Sequence, residues 1–108
     1  MDKTKDKIEE YIKLLKKEID IEMVILFGSY LSDKFNEKDS DIDMLIVSKD
    51  FEKIDKLKAY KILSRPLWEI DVNIDPISAT VEEIERNERG TFLSEIIRTG
   101  KIIYKKTA

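Results

Sequence analysis

Three groups of residues in this chain have the types and spacing to do chemistry. Asp41 and Asp43 stand one residue apart in DSDIDMLIV, preceded by Ser40 and followed by an unbroken apolar run. Gly28 and Ser29 close another apolar run, in VILFGSY, and Asp71, Asn73 and Asp75 recur at every second position of WEIDVNIDP. Alternate residues of a strand share a face, so Asp41 and Asp43 would lie roughly 7 Å apart on one side of theirs. If the strands are neighbours, two or three carboxylates converge. Two unit charges about 4 Å apart repel by roughly 4 kcal/mol at an effective dielectric near 20. Such a cluster either keeps protons at neutral pH or holds a cation. The chain has no histidine and no cysteine, which removes imidazole and thiolate ligands and histidine as a general base. A metal here would be a hard, oxygen-ligated ion such as Mg²⁺ or Mn²⁺.

Three readings compete for the pattern. In the plainest, Asp41 belongs to a polar loop and Asp43 and Asp71 are exposed strand ends, because 23 acidic residues in 108 make such spacings common. The second is a calcium loop, since DSDID supplies carboxylates at positions 1, 3 and 5 of the EF-hand pattern. That pattern needs glycine at position 6 and glutamate at position 12, where this chain has Met44 and Asp50. The third joins the aspartates to the glycine–serine pair. Gly28 would let backbone approach a phosphate, and Ser29 adds a hydroxyl and an amide donor at a helix start. Asp41 and Asp43 would then hold divalent ions near an α-phosphate, and a third carboxylate would activate an attacking hydroxyl. This is the division of labour of metal-assisted phosphoryl and nucleotidyl transfer.

The elements that must position these residues can be read from periodicity. Ile8, Tyr11, Ile12, Leu15 and Ile19 follow helical spacing over 5–19, with lysines and glutamates opposite. Residues 22–27 and 41–48 read as strands, and SYLSDKF as a short helix or helical turn with Ser29 near its start. Helical spacing returns over 51–63, and Pro66 breaks it. Residues 67–74 alternate as a half-buried strand that Pro76 closes, with Trp68 in the core or at an interface. Thr80 and Glu83 form a capping box opening a helix, FLSEIIRT forms a last helix stopped by Gly100, and KIIY a final strand. The order is α-β-α-β-α-β-α-α-β. The connection between the first two strands is about a dozen residues, short for a parallel crossover. The expectation is one α+β (α/β-like) domain over 1–108, a mixed sheet with flanking helices.

With these residues in place, the sequence resembles the polymerase β-like nucleotidyltransferases, above all their minimal stand-alone members. FGSY, then DSDIDMLIV with eleven residues between Ser29 and Asp41, then WEIDVNIDP and FLSEIIRTGKIIY, carry the likeness over residues 22–104. The resemblance implies that Gly28 and Ser29 grip the nucleotide and that Asp41 and Asp43 ligate the metal. It implies Asp71 as the third acid, a general base and metal neighbour, with Asp75 as the alternative. Parallel neighbouring strands would bring Asp71 level with Asp43; antiparallel ones would favour Asp75. Where relatives often read G-S-x-A-R-G, this chain has Leu31, Ser32 and Asp33, with Lys34 just beyond, so a phosphate-side cation falls to Lys34 or to a partner. Tyr30 reads as a packing residue rather than a base-stacking one.

Minimal members of that family frequently pair with a small helical toxin protein, commonly an RNase. The resemblance therefore implies an antitoxin that transfers AMP from ATP to a tyrosine hydroxyl of its partner. The reading from another class is a binding module that neutralises the same partner by contact alone. Within 108 residues there is no length for a separate acceptor-recognition domain, so the acceptor site comes from a partner protein or a homodimer. Leu93, Ile96, Ile97, Ile102 and Ile103 are the first residues to inspect for such a surface. The net charge of −3 argues against a broad nucleic-acid surface. No run nears the ~20 apolar residues of a membrane span, and MDKTKDKIEE lacks a signal-peptide segment, so the expected location is the cytoplasm.

Overall fold

The apolar stripe Ile8–Tyr11–Ile12–Leu15 and the runs VILF and MLIV dictate a sheet with helical cover. The computed structural model describes residues 3–32 and 41–107. In chain order these form α1 (Lys3–Leu15), β1 (Ile21–Phe27), β2 (Ile42–Ser48), α2 (Lys56–Ser64), β3 (Ile74–Ala79), α3 (Val81–Arg86), α4 (Phe92–Thr99) and β4 (Lys101–Lys105). Short 3₁₀ turns follow β1 (Gly28–Leu31), β2 (Lys49–Lys53) and α2 (Arg65–Trp68). The four strands lie in the order β3-β2-β1-β4. β1 runs antiparallel to β2 and β4, while β2 and β3 are parallel, joined by the crossover that contains α2. The sheet is mixed, as the short first connection required.

Strand alternation divides the core between the two faces. On one, Val24, Leu26, Met44, Ile46 and Ile74 pack against Ile8, Tyr11, Ile12 and Leu15 of α1 and Ala59 and Leu63 of α2. Burial of each such aliphatic side chain contributes about 1.5–3 kcal/mol. The Tyr11 hydroxyl, buried here, donates to the Leu63 carbonyl at 2.6 Å, so its polar tip is satisfied and α1 is tied to α2. Burial, with Tyr60 nearby, pushes that hydroxyl's pKa well above its ordinary value. On the other face Ile25, Phe27, Leu45, Val47 and Ala79 pack against Ile96 of α4. Among the described residues, no helix is long and apolar enough to cross a membrane.

Two expectations are corrected. The alternation over 67–74 is not a strand. Pro66 opens a 3₁₀ turn, residues 71–73 have no regular structure, and β3 starts only at Ile74. Ile70 and Ile74 are buried, whereas Trp68 is 89 % exposed, outside both the core and any strand. Pro76 lies inside β3 instead of closing it, because β3 is an edge strand and tolerates a residue without an N–H to donate. From SYLSDKF the described residues form a 3₁₀ turn through Leu31, the helical turn expected there, and 33–35 lie outside the described residues. The second change is in the extent of a helix. The helix expected over 51–63 begins at Lys56, where the Asp55 carboxylate accepts the Lys58 amide at 2.8 Å as a cap.

Candidate nucleotide site

The site residues gather at one end of the sheet, where β1 finishes and the parallel strands β2 and β3 begin. Phe27, the last residue of β1, is the antiparallel register partner of Asp43, and directly opposed residues share a face. Gly28 comes next with φ +75°, a left-handed conformation that an L side chain rarely adopts. A Cβ added there would overlap the carboxylate of Asp43. The glycine thus lets the chain turn sharply and lets that carboxylate lie against the backbone. Ser29 follows, exposed, in the 3₁₀ turn that the Ser32 amide closes on the Ser29 carbonyl at 3.0 Å. Tyr30 is half-buried and packs against the core on the α1 side of the sheet.

Asp41 precedes β2 and is exposed; Asp43 is half-buried within it. Across the parallel pair, Ile42 stands level with Ile74 and Asp43 with Asp75. The Ile42 amide donates to the Asn73 carbonyl at 2.7 Å, which fixes this register at its first rung. Asp43 and Asp75 therefore project from the same face of adjacent strands, about 4.8 Å apart at the backbone. Burial, and then the carboxylates of Asp75 and Asp41, hold the Asp43 carboxyl above the usual carboxylate range. The carboxylates of Asp75 and Asp41 thus both act on that of Asp43, at the end of the sheet that also carries Gly28 and Ser29.

Asp71 is not among them. The strands are parallel, as the sequence-based preference for Asp71 required, but β3 begins three residues beyond it, so the rung opposite Asp43 belongs to Asp75. Asp71 sits in the irregular segment before β3 with its side chain fully exposed. Lys7 of α1 holds it, donating to the Asp71 carbonyl at 2.6 Å with its ammonium 3.9 Å from the carboxylate. Lys34, the expected phosphate-side cation, lies outside the described residues. Of the residues marked for a partner surface, Ile96 is buried, Leu93, Ile97 and Ile103 are half-buried, and Ile102 is 53 % exposed. Ile102 lines a groove of about 490 Å³ with Ile8, Ile12, Leu26, Tyr30 and Leu31.

Among the described residues, no three acidic side chains are gathered closely enough to enclose a metal ion by themselves. Mg²⁺ does not require that, since it is usually bound through one or two carboxylates together with substrate phosphates. The donor set here consists of carboxylate oxygens, and the burial and neighbouring carboxylates that raise Asp43 are offset when a divalent cation pairs with its charged form. The residues present fit a hard divalent ion.

Comparisons with known proteins bear on the family and the fold. Residues 9–108 match the family model described as "Polymerase beta, Nucleotidyltransferase". A Methanocaldococcus jannaschii protein carrying the name "Putative protein adenylyltransferase MJ0141" is 40% identical over 77 residues, 65% of this chain and 77% of that protein. Among solved structures, a "putative nucleotidyltransferase" from Sulfolobus solfataricus superposes with a TM-score of 0.70 at 21% identity, over 96% of this chain and 82% of the other. A chain from the complex of a tri-AMPylated Shewanella oneidensis HEPN toxin with an MNT antitoxin superposes with a TM-score of 0.54 at 19% identity, over 95% and 73%.

Proposed function

Because this chain belongs to the polymerase β nucleotidyltransferase family, we propose that it transfers AMP from ATP to a hydroxyl of a partner protein, acting as the antitoxin of a toxin pair. The observation that carries the reading is the rung Asp43–Asp75 beside Gly28. Gly28 turns the chain sharply and seats the Asp43 carboxylate against the turn where the triphosphate binds, and Ser29 offers its hydroxyl and amide. Asp41 and Asp43, with Asp75, are the residues that would hold a divalent cation such as Mg²⁺. When bound, the cation would neutralise phosphate charge. Asp75 takes the proton of the acceptor hydroxyl. The acceptor oxygen bonds to the α-phosphorus, the bond from that phosphorus to the β-phosphate bridging oxygen breaks, and pyrophosphate leaves.

The 40% identical relative named for protein adenylylation supports a protein acceptor. So does the fold shared with a chain from the tri-AMPylated toxin complex. Incubating the protein with labelled ATP, Mg²⁺ and the product of its neighbouring gene should label that product, and Asp43→Asn should abolish the labelling. A complex that forms without transfer, whatever the nucleotide or metal, would leave neutralisation by contact as the function.

A further inference from the structure

Phe92, the first residue of α4, is 65 % exposed, whereas Ile96 of the same helix is buried in the core and Leu93 packs against it. Its ring meets that of Phe27 at a centroid distance of 5.7 Å and an interplanar angle of 79°. Phe27 is itself 7 % exposed and is the cross-strand partner of Asp43. An edge-to-face contact uses one edge or one face of a ring, so at least one face of Phe92 is left unclaimed by Phe27. An exposed aromatic ring thus rests on Phe27, one side chain away from the Asp43 carboxylate, on its side of the sheet. The Phe92 position is also secured from below. The Thr91 hydroxyl caps α4 by accepting the Ser94 amide at 3.1 Å and donates to the Glu88 carbonyl at 2.7 Å.

Resting on the proposed nucleotide site, we infer that Phe92 is the platform on which the nucleobase of the bound nucleotide stacks. The placement suits the ligand. Phosphates at the Gly28–Ser29 turn and carboxylates leave the base to extend past Phe27, and Phe92 is the exposed ring in that direction. Stacking on an aromatic ring accepts any base, because every base has a π-face. The platform therefore adds affinity for nucleotides over bare phosphate chains without selecting strongly among bases.

The test compares ATP with inorganic tripolyphosphate, each with Mg²⁺, by isothermal titration calorimetry. The wild type should bind ATP more tightly than tripolyphosphate by on the order of tenfold or more. Phe92→Ala should erase most of that difference while leaving tripolyphosphate affinity unchanged, and Phe92→Trp should restore it. Asp43→Asn should weaken both ligands. An ATP advantage that survives Phe92→Ala, with circular dichroism showing a folded variant, would overturn the assignment while leaving the nucleotide site standing. Failure of the wild type to bind either ligand would overturn both.

Discussion

Asp43 of β2 and Asp75 of β3 occupy the same rung of a parallel strand pair, and Gly28 lies against the carboxylate of Asp43. From that relationship follow expectations for stability as well as chemistry, because carboxylates gathered at a sheet end cost the fold something unless a cation joins them.

The first concerns Asp43 in metal-free buffer. Its carboxyl is raised by burial and by Asp75 and Asp41. The native state therefore binds the proton more tightly than the unfolded chain does. Stability falls as pH rises through the interval between the unfolded and folded values. Asp43→Asn should raise the Tm at pH 7 in the presence of EDTA, and should lose the Tm increase that Mg²⁺ gives the wild type. Thermal melts with and without Mg²⁺ measure both.

Gly28 should prove irreplaceable for a structural reason. Gly28→Ala places a Cβ at φ +75° and against the Asp43 carboxylate, costing about 1 kcal/mol or more from the backbone alone. In an Asp43→Ala background the overlap is gone, so the same substitution should cost less. Urea unfolding of the four proteins in this double-mutant cycle gives the coupling directly; strictly additive costs would mean that the two residues do not touch.

How much of this was legible in the sequence varies by element. VILF and MLIV announced β1 and β2 because each is an unbroken apolar run, and Asp43 came with the second, while Asp41 falls just before the strand the sequence started with it. The helical spacing of Ile8, Tyr11, Ile12 and Leu15 placed α1 in the same way. β3 was hidden. Its residues Ile74, Pro76, Ser78 and Ala79 carry little apolar signal, while the alternation over 67–74 is satisfied by a turn that buries Ile70 and Ile74. Asp71 and Asp75 have the same parity, so a period of two cannot choose between them. Only the strand register, a tertiary property, decides which stands opposite Asp43. Phe92 gave no signal, since an aromatic residue opening an amphipathic helix is ordinarily a core residue.

The capping box at α3 was legible because it is local, and it carries a pH signature. The Glu83 carboxylate accepts the Thr80 amide at 3.0 Å and pairs with Lys56 at 3.3 Å, while the Thr80 hydroxyl accepts the Glu83 amide at 3.1 Å. Burial alone would raise Glu83, but the Thr80 amide and the Lys56 charge outweigh it and bring its carboxyl below the usual range. Its contribution is full above the unfolded carboxylate pKa, about 4.3, and is lost as pH falls through the lower folded value. Thr80→Ala should cost about 1 kcal/mol at pH 7. The stability gap between wild type and Glu83→Gln should shrink from pH 7 to pH 3, as measured by chemical denaturation.

Trp68 tests the revised course of the chain before β3. Being 89 % exposed, it should fluoresce like indole in water and be quenched readily by acrylamide. Trp68→Ser should change stability by no more than about 0.5 kcal/mol. A blue-shifted, protected emission in the isolated protein would return the tryptophan to the core and residues 67–74 to a strand.

The most direct measurement is transfer of labelled AMP from ATP by Asp75→Asn and Asp71→Asn side by side, with Mg²⁺ and the partner protein. Asp75→Asn should lose transfer by about a hundredfold or more, as removal of a general base does, and Asp71→Asn should stay within about twofold of wild type, as expected for a surface substitution away from the site. Full activity in Asp75→Asn, together with its loss in Asp71→Asn, would contradict Asp75 as the general base.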